Sequence, residues 1–117
     1  MINKELLSEV LGEDISECSI ICNQVNYIVS NYEREDGELI YINLSMNINI
    51  HELAHKCKEW IFSKNYYFHI EEYNSNDVTV YIYKKDASCR DDFEEILSAK
   101  NYIEAIIKAC EWIYFER

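Results

Sequence analysis

The sequence predicts an α+β fold: a largely antiparallel β-sheet with two similar amphipathic helices packed on one face and a short N-terminal helix, in the order α-β-β-α-β-β-β-α. Two observations predict it. Apolar residues recur at helical spacing in segments near the start, the middle and the end of the chain, and between them lie β-branched and aromatic runs grouped in pairs about polar turn signals. At 117 residues the chain suits a single domain, 1–117, with one modest core.

The first segment, NKELLSEVLG, places Leu6, Leu7, Val10 and Leu11 on one helical stripe and stops at Gly12, a natural C-cap. Cys18 to Tyr32 and Leu39 to Met46 then read as two strands flanking the turn Glu35-Asp36-Gly37-Glu38. In the second of these, Ile40, Ile42, Leu44 and Met46 alternate with Tyr41, Asn43 and Ser45, so one face is expected to be core. Asn49 to Lys64 is the second helix. Tyr66 to Tyr73 and Val78 to Tyr83 form a further hairpin across Asn74-Ser75-Asn76-Asp77, with Phe68, Ile70, Val78, Val80 and Ile82 toward the helices. A weaker strand is expected around Phe93 to Leu97, and Asn101 to Phe115 is the last helix.

The middle and last helices follow one recipe. Asn49 aligns with Asn101, Glu52 with Glu104, Lys56 with Lys108, Glu59 with Glu111, Trp60 with Trp112 and Ile61 with Ile113. In each, Asn caps the helix, the Glu three residues on returns to the cap, and the same Glu can pair with the Lys at i+4. Trp and Ile are expected to turn inward.

This repeat bears on the motif H-E-x-x-H at His51, Glu52 and His55. In a zinc hydrolase two histidines one helical turn apart hold the metal and the Glu is the general base, with a third protein ligand and an open water position. Here the buried stripe at about 100° per residue is Ile50, Leu53, Ala54, Cys57, Trp60 and Ile61, leaving His51 and His55 on a flanking strip. His69 has the wrong strand parity to join them, so Glu72 is the best third ligand, and Glu52 already has a capping role. There is no G-x-x-H continuation. The match therefore reads as a packing helix, with no catalytic residue, metal or cofactor expected.

Hydrophobic residues make up 49% of the chain with no proline, the composition of an ordered domain rather than a tail. Cys18, Cys22, Cys57, Cys89 and Cys110 are odd in number and lack C-x-x-C, so free thiols are expected, with Cys18 and Cys22 sharing a sheet face as small buried hydrophobes. The start MINKELLSEV has no basic segment followed by an apolar run, from which a cytoplasmic protein is expected. A formal charge of −11 repels nucleic-acid phosphates and anionic membranes and favours basic partners.

INIHELAHKCKEWIF, with EAIIKACEWI near the end, resembles a group of small phage and prophage proteins, and the element order is similar to the phage ABA sandwich type of domain. The likeness runs from Ile48 to Ile113, so the long N-terminal hairpin lies outside it. It implies an accessory viral protein working in the host cytoplasm; it implies no activity, metal or catalytic residue.

The remaining candidate surface is tyrosine-rich and acidic. Tyr41, Tyr67, His69, Tyr81 and Tyr83 share strand parity with Asn43 and Thr79, and Glu33, Glu35, Asp36 and Glu38 surround the first turn. The competing reading is that helix one covers the tyrosines. The expectation is a non-enzymatic protein that binds a protein partner, a basic nucleic-acid-handling host factor of a defence system, with a homodimer as a further expected assembly. Two alternatives stand beside it: sequestration of a small nucleotide-like signal on the tyrosines, and the zinc hydrolase of His51, His55 and Glu72.

Overall fold

The computed structural model describes residues 2–116. Its elements are α1 (Lys4–Leu11), β1 (Ile15–Ile21), β2 (Gln24–Glu35), β3 (Glu38–Asn49), α2 (Ile50–Ser63), β4 (Tyr66–Asn74), β5 (Asp77–Lys84), β6 (Glu95–Ala99) and α3 (Tyr102–Glu116). The fold is α+β. The strands form two antiparallel three-stranded sheets, β1-β2-β3 and β4-β5-β6, rather than one. The chain divides into two compact units, Met1–Leu53 and Ala54–Arg117. Among the described residues no helix is long and apolar enough to cross a membrane.

In the first unit, Asn3 begins α1 by accepting a 2.8 Å hydrogen bond from the Leu6 amide. Gly12 ends it at φ 69°, a left-handed position that costs a glycine nothing, and its amide donates to the Ser8 carbonyl at 2.9 Å. Leu6 and Leu7 are fully buried. The run from Cys18 to Tyr32, expected as one strand, is two. The chain folds back at Cys22 and Asn23, with Cys22 at φ 56° and Ile21 paired to Gln24. Cys22 is thereby an exposed turn residue and does not share a face with Cys18. Cys18 is half-buried rather than buried; Cys57 and Cys110 are buried, Cys89 is exposed, and all five are free.

The β2–β3 hairpin turns on Asp36 (φ 51°) and Gly37 (φ 82°) between the paired Glu35 and Glu38. Positive φ at both central residues is the type I′ turn whose twist suits a two-residue hairpin. Pairing then runs without a break to Gln24 and Asn49. On one face Val25, Tyr27, Val29 and Ile48 are buried. The same face continues along β3 as Met46, Leu44, Ile42 and Ile40, and here the expected core is absent: Met46 is 42% exposed, Leu44 51% and Ile40 36%. The cause is length. An eight-residue helix such as α1, packed on β1, rises about 12 Å, whereas a twelve-residue strand such as β3 runs about 40 Å.

In the second unit α3 packs on β4, β5 and β6. Val78, Val80 and Ile82 alternate inward as expected, and with Ala105, Ile106, Ala109, Cys110 and Ile113 of α3 they are buried. Ala54, Cys57, Trp60 and Ile61 of α2 are buried too. Trp112 is half-buried, so the two tryptophans are not equivalent as the repeat implied. Trp60 lies against Tyr114, ring centroids 6.4 Å apart. The strand expected from Phe93 begins at Glu95, and Phe93 falls in the preceding loop.

Candidate functional site

The H-E-x-x-H helix comes first, because it would carry chemistry. His51 and Glu52 are exposed. His55 is exposed and pairs with Glu59 at 2.8 Å, one turn further on. Glu72 sits exposed on β4, paired with Val78. Among the described residues no three His, Cys, Asp or Glu side chains form a group able to hold a metal ion. Asn49 caps this helix as expected, accepting from the His51 amide at 2.8 Å, and among the described residues no returning bond to Glu52 is found. A variant of the capping motif occurs in α3, its returning bond made one residue before the cap. There Asn101 accepts from the Glu104 amide at 2.9 Å, Glu104 accepts from the Lys100 amide at 3.2 Å, and its other oxygen pairs with Lys108 at 3.3 Å.

The candidate binding residues divide between the two units. Tyr67, His69, Tyr81 and Tyr83 come together on the face of β4 and β5 opposite Val80 and Ile82. Tyr67 and Tyr83 stack with centroids 4.9 Å apart and 8° between planes, and His69 and Tyr81 lie 6.2 Å apart. This face is capped by its own loop. Phe93 meets Tyr81 edge-on at 5.5 Å and Tyr83 at 6.4 Å, and the Tyr83 hydroxyl donates to the Arg90 carbonyl at 2.7 Å. Tyr83 is consequently buried, contrary to its expected exposure, and burial with Tyr67 alongside pushes its phenol pKa up.

Beside the tyrosines is a polar network centred on Glu71. Tyr73 donates to it at 2.7 Å, His69 lies 3.3 Å away and Arg90 4.0 Å. The Tyr73 hydrogen bond outweighs burial and, helped by His69 and Arg90, holds the Glu71 carboxyl below its usual range. Bonding to Tyr81 and Glu71 pushes the Tyr73 phenol far up. A cavity of about 430 Å³ next to this network is lined by Tyr67, His69, Tyr83, Ser88, Cys89 and Arg90. Glu71 and Tyr73 were legible in principle, since they continue the odd-numbered face of Tyr67 and His69. Phe93 and Arg90 carried no comparable signal.

Tyr41, Glu33, Glu35, Asp36 and Glu38 are on the β2–β3 hairpin of the first unit, which extends past the last β1 pairing at Val29. Tyr41 stacks obliquely on Tyr32 across the strands, centroids 5.0 Å apart. Both are exposed, at 52% and 66%, and Leu39 beside them is 64% exposed. Strand alternation places Tyr32, Arg34, Leu39 and Tyr41 on one face, and Glu33, Glu35, Glu38 and Ile40 on the other. Tyr41 therefore belongs with Tyr32, a residue the sequence reading left out, and not with Tyr67 and Tyr81, which are in the other sheet.

No protein-family model matches the chain, and no curated protein or solved structure shows significant similarity to it.

Proposed function

We propose that the protein acts by binding another protein, and that the end of the β2–β3 hairpin is what it presents. The observation that carries this is the exposed Tyr32–Tyr41 pair with Leu39 on one face of a projecting hairpin whose turn bears Glu33, Glu35, Asp36 and Glu38. Aromatic side chains supply contact area at low entropic cost, and the carboxylates at the turn and on the opposite face of the same hairpin add long-range attraction for a basic surface. The chain's charge of −11 acts in the same direction. The partner that fits is a basic protein surface of the kind that otherwise holds nucleic acid. The resemblance of the helices to phage proteins makes a phage accessory role, antagonism of such a host defence factor in the cytoplasm, the setting of this proposal.

The test compares proteins retained from cell lysate by the native chain, by Glu33→Lys/Glu35→Lys and by Tyr41→Ala, with circular dichroism to verify the fold. A basic protein held by the native chain at low salt and lost by both variants supports the proposal. Equal retention by all three overturns it.

A second reading, capture of a small nucleotide-like molecule, is favoured by the cavity that places Arg90 beside Tyr67 and His69. It ranks lower because Tyr67 and Tyr83 already stack on each other and Glu71 would oppose a phosphate. An ultraviolet-absorbing molecule co-purifying with the native chain and lost in Arg90→Ala would favour it over the first.

A further inference from the structure

We propose that β3 is a self-pairing edge: two copies join antiparallel along it, centred on Asn43, into a continuous six-stranded sheet. β3 is an outer strand of its sheet. The type I′ turn sets its hydrogen-bond phase. Glu35 and Glu38 close the turn as a hydrogen-bonded pair, so alternate pairs up to Val25 and Ile48 point their amides and carbonyls at each other. The Ile50 amide donating to the Asn23 carbonyl at 2.8 Å continues that phase. The intervening residues of β3, Leu39, Tyr41, Asn43, Ser45 and Asn47, therefore direct their backbone polar groups outward, along the free edge.

Edges of this kind are normally blunted by charge, proline or brevity. The other outer strands carry such devices: Glu17 in the seven-residue β1, Glu71 and Glu72 in β4, Glu95 in the five-residue β6. From Leu39 to Asn49, all of β3 after its first residue, there is no charged residue. The apolar face of β3 is also the one whose Ile40, Leu44 and Met46 are exposed.

A second copy is the occupant that pairs the free edge and at the same time gives the exposed apolar side chains cross-strand neighbours. With the two-fold at Asn43, Leu39 pairs with Asn47 of the other copy and Tyr41 with Ser45, matching outward groups to outward groups in about ten hydrogen bonds. The close, non-hydrogen-bonded positions then set Ile40 against Met46 and Ile42 against Leu44, twice over, as cross-strand apolar pairs. The same antiparallel register sends the two acidic turns to opposite ends. The two Glu38 residues are then about ten strand residues, or roughly 33 Å, apart, well beyond the Debye length of about 8 Å at physiological salt. A chain of charge −11 thus meets its copy along the uncharged stretch of β3 that follows Glu38. The surface enclosed along the two edges and between the cross-strand side chains is on the order of 1,000 Å², the scale at which a specific interface begins.

The experiment is sedimentation equilibrium on the full native chain, on Leu44→Lys and on Ser45→Pro, with circular dichroism on each. Leu44 is half exposed, and the Ser45 amide points outward, so neither change removes a bond within the sheet. The expected result is a two-chain species for the native protein and self-association weakened about tenfold or more in both variants. Asn43→Cys tests the register: oxidation should link two chains at residue 43, where the paired Cα atoms are about 5.5 Å apart, above the background set by the native thiols. A native chain that stays monomeric, undiminished association in both folded variants, or no added linkage at residue 43 would overturn the proposal. It stands apart from the reading of the acidic turn, because Glu33→Lys/Glu35→Lys should remain two-chain.

Discussion

The hydroxyl of Tyr83 donates to the backbone carbonyl of Arg90 at 2.7 Å, tying the loop before β6 to the tyrosine face of β5. Tyr83→Phe removes this bond alone and keeps the ring on Tyr67 and Phe93. The expected cost is about 1 kcal/mol, with faster amide exchange through residues 85–93. Hydrogen exchange measured by mass spectrometry checks it; unchanged protection of that loop would show that Phe93 suffices to hold it.

Trp60 and Trp112 occupy equivalent places in the two helices, but only Trp60 is buried, at 7% exposure. Trp60→Ala is expected to cost about 3–5 kcal/mol and Trp112→Ala about half as much or less. Urea denaturation of both variants measures the difference, and equal costs would refute the inequivalence of the helices.

Glu71 makes stability depend on acidity in a defined direction. Its carboxyl is held low by Tyr73 first, and by His69 and Arg90. A carboxylate depressed in the folded state contributes stability above its unfolded pKa of about 4.3, and the contribution is lost as pH falls through the lower folded value. Glu71→Gln should therefore flatten the acid limb of the stability curve, and Tyr73→Phe should return the Glu71 titration toward the ordinary range, as followed by carboxyl carbon chemical shift. A Glu71 titration that Tyr73→Phe does not move would count against the network.

Because His51, Glu52 and His55 are exposed and grouped with no third ligand, His51→Ala, His55→Ala and Glu52→Gln should each change stability by less than about 0.5 kcal/mol. Protein purified without a histidine tag should melt at the same temperature with and without chelator. One zinc per chain by elemental analysis, lost on chelation together with stability, would restore the metal reading.

Much of the fold was legible where local chemistry is strong. The Leu6–Leu7 stripe ended by Gly12, the Asp36-Gly37 turn, the Val78, Val80, Ile82 alternation and the Asn101–Glu104 box each announce an element by its own physics. The fold-back at Cys22 and Asn23 was not legible, because that turn uses neither glycine nor proline. Nor was the exposure of Leu44 and Met46: alternation separates two faces of a strand but does not say whether anything long enough lies over the apolar one. The grouping of the candidate tyrosines was legible only in part for a related reason. Parity grouped Tyr67, His69, Tyr81 and Tyr83, yet parity carries no information about which sheet Tyr41 enters or which loop returns over Tyr83.

Every strand in both sheets is hydrogen-bonded to its immediate successor or predecessor in the chain, with no crossover connection. Such meanders assemble from neighbouring segments, so little loop-closure entropy precedes each gain, and low contact order favours rapid folding. The order of synthesis then has a consequence for β3. As the chain emerges, β2 is completed before β3, so the long strand finds its intramolecular template already made. A sequence that would be hazardous as an isolated peptide is thereby released to its surroundings with its register already set.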